Sequence, residues 1–206
     1  NGNPVYYKAD GSLVQGVVGQ SKYAVFNAAN PTDISKAAIL NDKDKVVLGN
    51  TLPKYFGAAG IRLRYENFDL GTTIRFSGGN KIFNSTRREM MNLNFTNNSS
   101  EILGRWQSAA NPGDGMTPRL FFADNTLSNQ SSNASSRFVE DGSFVKFDVI
   151  SFGYTFPKNL LQSVGIKNLR VYVQAQNAFI ITKYKGLDPE MESAGVDLKA
   201  TPRQKG

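Results

Sequence analysis

The sequence contains no cysteine and no histidine. Without cysteine there is neither a disulfide framework nor a thiolate metal site. Without histidine the commonest general base and the commonest metal ligand are missing. Ser-His-Asp catalysis, Cys-His catalysis and a histidine-ligated zinc are therefore excluded within these 206 residues. No stretch reaches the about 20 consecutive apolar residues that a membrane helix needs. No run of lysine or arginine marks a nucleic-acid arm: the net charge of +7, from 24 Lys and Arg against 17 Asp and Glu, is dispersed. The opening residues, NGNPVYYKADG, lack a signal-peptide pattern and read as the middle of a longer chain. Paired carboxylates at strand ends, which a glycoside hydrolase needs, are missing too, so an enzyme reading comes last and no cofactor is expected.

What is present is alternation. In SFGYTFP, Phe152, Tyr154 and Phe156 fall on one face of a strand, Ser151, Gly153 and Thr155 fall on the other, and Pro157 stops it. From Lys54 to Gly78 two strands are expected, joined by Glu66-Asn67. A two-residue loop sets Tyr65 opposite Phe68, and the register then runs Leu63 with Leu70, Ile61 with Thr72, Ala59 with Ile74 and Gly57 with Phe76. The other face pairs Arg64 with Asp69, Arg62 with Gly71, Gly60 with Thr73 and Ala58 with Arg75. Each strand is about 11 residues long; globular strands usually have about 5 or 6, and membrane-spanning ones about 9 to 11.

A second pair is expected from Phe144 to Phe156 and from Asn168 to Thr182. In the latter Leu169, Val171, Val173, Ala175, Phe179 and Ile181 share a face, broken by Asn177, while Arg170, Tyr172, Gln174 and Gln176 take the other. Val145, Phe147 and Val149 carry the opposite parity to Phe152 and Tyr154, which calls for a bulge or for a partner packed inside. Elsewhere the pattern is looser. Asp10-Gly11 marks a small hairpin, Asn30 to Asp33 begins a short helical turn over Ile34 to Leu40, and the remainder up to about Lys45 is irregular. Gly79 to Gly142 is a long Asn- and Ser-rich connection with one short amphipathic helix in STRREMMNLNF. The tail from Lys183 is a polar, unpaired loop.

Two media can cover the aromatic face: lipid, or the second sheet of a secreted β-sandwich adhesin or carbohydrate-binding module. Lipid fits the strand length and the alternation of short turns with very long loops, which is the asymmetry of outer-membrane barrels. Tyr65, Phe68, Tyr154 and Phe156 cluster at the short turns, where an aromatic girdle belongs. The lipid face would carry Leu70, Ile74, Phe76, Phe152, Val171 and Val173 as well. The opposite face holds Arg62, Arg64, Asp69, Arg75, Arg170 and Gln174, and unpaired charges there would cost a sandwich core several kcal/mol each. Such a face suits a wet lumen.

Three blocks of sequence carry a family resemblance. DKVVLGNTLPKYFGAAGIRLRYENFDLGTTIRFSGGNKIFN, RFVEDGSFVKFDVISFGYTFP and LRVYVQAQNAFIITKYKGLDPE resemble, in this order, blocks of SusC/RagA-like TonB-dependent outer-membrane transporters. They cover Asp44 to Glu190. The resemblance implies an all-β, transmembrane, antiparallel up-and-down barrel of about 22 strands with a plugged lumen and long extracellular loops. Residues 1–206 would then be the C-terminal portion of that barrel, without plug domain, TonB box or closing strand. It further implies uptake of glycans or peptides, a SusD-like lipoprotein lid, the TonB complex acting through the missing N-terminal region, and outer-membrane lipid as surroundings.

Several single residues admit a sharp and a bland reading. Trp106 is a sugar-stacking platform or a loop anchor, and with Arg119 it is the candidate for substrate or lid contact. Asp188, Glu190 and Glu192 are a calcium cluster or a solvated acidic loop, the second being the simpler. Arg64 and Asp69 face each other as an ion pair. Arg62, Arg64 and Arg75 are expected to pair with Asp69 or with the plug.

Overall fold

The computed structural model describes residues 2–17, 23–91, 97–119, 135–190 and 195–198. The chain divides into two compact units. One comprises residues 1–48 and 85–138, the other 49–84 and 139–206.

The second unit holds the long strands: β5 (Tyr55–Tyr65), β6 (Phe68–Gly78), β9 (Phe144–Thr155) and β10 (Arg170–Thr182). They have 11, 11, 12 and 13 residues and form one antiparallel sheet in the order β10-β9-β6-β5. The expected β5–β6 register holds at every position from Tyr65↔Phe68 to Gly57↔Phe76. Glu66 takes φ +51 in the two-residue turn, as tight hairpins with primed turns demand. The turn after β9 is longer. Pro157 caps a short helix α2 (Lys158–Leu161), which runs into a 3-10 turn ending at Gly165 in the left-handed region. Four strands do not close a barrel, and β5 and β10 are the outer strands of this sheet.

The parity conflict in β9 resolves as a bulge. Against β6 the register steps from Thr73↔Val149 to Ile74↔Phe147, so Asp148 is the extra residue. Beyond it Phe147 and Val145 join Ile150, Phe152 and Tyr154 on the apolar face. β10 follows, slipping between Gln176 and Phe179, with Asn177 at φ +48. The rings confirm the sorting. Phe147 stacks on Phe179 at 4.3 Å, Phe68 packs on Phe152 and Tyr154 at 5.7 and 4.8 Å, and Tyr154 meets Phe156 edge-on at 5.0 Å. One apolar face therefore runs continuously across all four strands.

A small sheet completes this unit: β7 (Lys81–Asn84), β8 (Val139–Asp141) and β11 (Val196–Asp197), in the order β11-β7-β8. Two expectations are corrected here. The Gly79–Gly142 segment is not one structureless connection, because β7 and β8 pair inside it. The tail is not wholly unpaired either, because β11 lies parallel to β7, Val196 beside Phe83.

The first unit carries a four-stranded antiparallel sheet of β1 (Val5–Tyr7), β2 (Leu13–Gly16), β3 (Tyr23–Val25) and β4 (Ala37–Ala38). The Asp10-Gly11 hairpin is as read. The helical turn over Ile34–Leu40 does not form. Asn30 and Asp33 instead close side-chain turns on Thr32 and Ser35, and the following Ala37 and Ala38 add an edge strand. Helix α1 (Ser85–Met90) occupies the start of the expected amphipathic piece, whose positions 92–95 lie outside the described residues. Its Arg87 grips Glu101 and hydrogen-bonds the Arg137 carbonyl. The Arg87 and Arg137 guanidiniums lie 5.7 and 5.4 Å from the ring of Phe138, which is wholly buried. Asp114 accepts the amides of Met116 and Thr117, tying the end of this loop to the same cluster through Arg137 and Thr117.

The bulge predicts the effect of a deletion. Removing Asp148 from the full-length protein takes out the extra residue, so Val149 and Phe147 become neighbours and pair regularly with Thr73 and Ile74. Phe147 and Val145 then stay on the apolar face and Lys146 on the polar one. The heat-modifiable folded band on a gel is expected to persist, and its disappearance would show that Asp148 does more than set the phase of the strand.

Candidate functional site

The polar face of the sheet is organised at both ends. At the short-turn end the fork is Arg170 to Asp69, with Nε–Oδ1 at 3.0 Å and Nη2–Oδ2 at 2.5 Å. It runs from β10 to β6 across the intervening β9. Only a residue without a side chain allows this: a Cβ at Gly153 would collide with the Arg170 guanidinium and come within 2.7 Å of Asp69 Oδ1. Arg170 also lies 5.0 Å over the ring of Tyr172. The expected Arg64–Asp69 pair is thus corrected. Arg64 faces Asp69 in register, but Arg170 is the arginine that takes the carboxylate, and it does so bidentately. Arg62 and Arg64 make no salt bridge among the described residues.

At the other end Arg75 does not reach Asp69. It pairs with Asp148, the bulge residue, and with Glu190, its Nη1 donating to Oε1 at 2.5 Å. Lys146, cross-strand from Arg75, donates to Glu190 Oε2 at 2.7 Å and lies 3.5 Å from Asp148. Two cations and two carboxylates form one cluster. Burial alone would raise the Glu190 carboxyl, but the hydrogen bonds from Lys146 and Arg75 outweigh it and hold it below the usual range. Its stabilising contribution is therefore complete above the ordinary carboxyl value of about 4.3 and is lost as pH falls through the lower folded value.

The family-like motifs meet at this end. Ser143 closes a turn on Asp141 through its amide and hydroxyl, at 3.0 and 2.6 Å. Gly79, at φ +84, donates its amide to Ser143 Oγ, and the Gly142 amide donates to the Asn80 carbonyl. The Gly-Gly-Asn and Asp-Gly-Ser motifs thus lock together. The post-β10 loop docks beside them. Thr182 Oγ1 donates to the Ser143 carbonyl, the Lys185 amide donates to Glu140, and the Tyr184 hydroxyl donates to buried Asp197 at 2.5 Å. Burial, and then the Asp197 carboxylate, push the Tyr184 phenol well above its ordinary value, so it stays a donor.

The calcium reading finds no support among the described residues. Glu190 is spent on cations, Asp188 caps the Glu190 amide at 2.9 Å, Glu192 lies outside the described residues, and no metal-holding group is found among them. The solvated-loop reading is corrected as well, since Glu190 is ion-paired and Asp188 is buried. Trp106 and Arg119 lie in the first unit. The Trp106 amide donates to the Thr117 carbonyl and its ring lies against Gly2, where a Cβ would come within 2.6 Å; the Arg119 amide donates to the Gly2 carbonyl. Sequence reasoning missed Asp148, Lys146, Asp141, Ser143 and Asp197. The parity break at Val149 was the available signal for Asp148.

A two-faced antiparallel sheet of 11- to 13-residue strands, apolar on one face and ion-paired on the other, defines the wall of a membrane β-barrel. No family model matches the chain. It is 32% identical over 144 residues to the TonB-dependent receptor SusC of Bacteroides thetaiotaomicron, covering 69% of this chain and 13% of that protein. It is 28% identical over 158 residues to the TonB-dependent receptor P3 of Formosa agariphila, covering 77% of this chain and 15% of that one. Its fold matches the RagAB peptide importer in the closed-closed state with a TM-score of 0.66 at 20% identity, over 98% of this chain and 21% of that one. In the open-open state the TM-score is 0.60. The chain thus spans about a seventh of the curated relatives' length. It belongs to the SusC/RagA-like TonB-dependent outer-membrane transporters, and its place is the outer membrane of a Gram-negative cell. The relatives are receptors and transporters, not enzymes, and the sandwich alternative is set aside.

The Gly153 gap yields a prediction. Gly153→Val is expected to lower the urea midpoint of the full-length protein, and the loss should shrink sharply when Asp69→Asn and Arg170→Gln are already present. An undiminished penalty in that background would assign the collision to the sheet rather than to the fork.

Proposed function

We propose that residues 1–206 form the C-terminal part of the barrel of an outer-membrane importer. It takes up nutrients too large for porins, glycans or peptides, under TonB control. The single observation that carries this reading is the two-faced register in a chain of this family. The order of the three sequence blocks supports the C-terminal placement. The plug domain, the TonB-contacting region and the closing strand would belong to the remainder of the polypeptide, and a SusD-like lipoprotein would cover the outer mouth.

In this reading lipid covers Leu70, Ile74, Phe76, Phe152, Val171 and Val173, and Tyr65, Phe68, Tyr154 and Phe156 form the periplasmic girdle. The lumen receives Arg62, Arg64, Asp69, Arg75, Arg170 and Gln174. Substrate and lid contacts come from the long outer loops: residues 79–142, with Trp106 and Arg119, and residues 183–206. The structural neighbour RagAB is a peptide importer and the relative SusC is a TonB-dependent receptor, so the substrate class is decided by assay. Growth of a strain lacking the full-length protein, on oligopeptides and on oligosaccharides as sole carbon source, with and without TonB, separates the two. Growth unaffected on both, or uptake that persists without TonB, contradicts the proposal.

The faces are tested by paired substitutions. Ile74→Arg is expected to destabilise the full-length barrel by about 2–4 kcal/mol, because lipid cannot solvate the charge near the midplane. Thr73→Arg, on the opposite face, should cost much less. Unfolding titrations in lipid that give equal costs would argue against a lipid face.

A further inference from the structure

The ion cluster around the bulge does more than neutralise the wall. The Lys146 side chain is only 7% exposed. A buried ammonium needs a counter-ion, since an uncompensated buried charge is strongly destabilising. Asp148 is already engaged by Arg75 through both Nε and Nη2, and it stands 3.5 Å from Lys146. The close partner of Lys146, at 2.7 Å, is Glu190. Glu190 is on no strand. It lies in the loop beyond β10, presented by a tight turn in which its own amide donates to Asp188 Oδ1 at 2.9 Å. Arg75 grips the same carboxylate from β6, with Nη1–Oε1 at 2.5 Å and Nη2–Oε2 at 3.2 Å. The first half of this loop is held separately, by Tyr184 on Asp197 and by the Lys185 amide on Glu140.

We propose that Glu190 is a positioning residue whose carboxylate, as counter-ion to buried Lys146 and to Arg75, latches residues 186–190 of the loop onto the polar face of the wall. The latch exists because the bulge at Asp148 brings Lys146 round to that face. A regular β9 would turn Lys146 outward and leave the loop without its anchor. The inference deepens the import reading, because residues 183–206 are one of the two candidate substrate-contacting segments, and Glu190 fixes where that segment stands over the lumen.

The test uses hydrogen–deuterium exchange on the full-length protein, following peptides that cover residues 186–190, β6 and β9. Glu190→Gln is expected to speed exchange in residues 186–190 about ten-fold, leaving β6 and β9 as they were. Glu190→Asp, which keeps the charge on a shorter side chain, is expected to retain more of the protection than Glu190→Gln. Exchange in residues 186–190 that Glu190→Gln leaves unchanged overturns the latch. Uniform acceleration across β6 and β9 also overturns it, because Glu190 would then be a general stabiliser of the wall. If Ile74→Arg and Thr73→Arg behave as the two faces require while the latch fails, only the latch is lost.

Discussion

Lipid offers no hydrogen bonds, and this constraint governs the whole structure. Every backbone amide and carbonyl at membrane depth must find its partner in a neighbouring strand, so the ladder must run without a gap. The unbroken β5–β6 register over 11 residues is the direct expression of that demand. Side chains then sort by parity, apolar to one face and polar to the other, at no further cost. Where the ladder does slip, at Asp148 in β9 and beside Asn177 in β10, the two slips are adjacent across the same pair of strands and the apolar face stays continuous.

The polar face follows from the same ladder. Its less exposed charges are paired, whereas Arg62 and Arg64 on β5 are open to solvent and make no salt bridge among the described residues. Two arrangements supply the pairing. At the short turns an arginine spans three strands over a glycine to reach Asp69. At the long loops four charges from β6, β9 and the loop beyond β10 neutralise one another. The second arrangement links wall to loop: a departure from regular pairing places an ammonium where only a loop carboxylate balances it. The small sheet of β7, β8 and β11 and the locked Gly-Gly-Asn and Asp-Gly-Ser turns hold that loop's surroundings in place. In a transporter of this family, the loops that meet the solute would thereby be referenced to the barrel itself.

Much of this was legible in the sequence, and for identifiable reasons. Period-2 alternation and a two-residue turn fix a register uniquely, so the pairing of Tyr65 with Phe68 and of every residue outward could be written down in advance. The parity break between Val149 and Phe152 was visible, but its cause was not. A bulge and an internal partner leave the same trace in one strand, and only the facing strand distinguishes them. The ion pairs were less legible, because a long arginine chooses among several carboxylates. Arg64 stands opposite Asp69, yet Arg170 reaches it from the next strand but one. Glu190 and Asp197 were out of reach, since each is brought to its partner by loop geometry that leaves no periodic signature. Ile34 to Leu40 misled for a related reason: the side-chain turns of Asn30 and Asp33 imitate a helix start and end in an edge strand.

The central claim is that one continuous apolar face of these strands meets lipid, with its phase reset at Asp148. Single spin labels placed in turn at positions 144 to 155 of the full-length protein in bilayers test it directly. The readout is relaxation by lipid-soluble oxygen against relaxation by a water-soluble nickel chelate. The account predicts oxygen maxima at 145, 147, 150, 152 and 154, with the alternation shifting by one residue across 148. Alternation that keeps a single phase through 148, or labels equally open to both reagents along the strand, would contradict it.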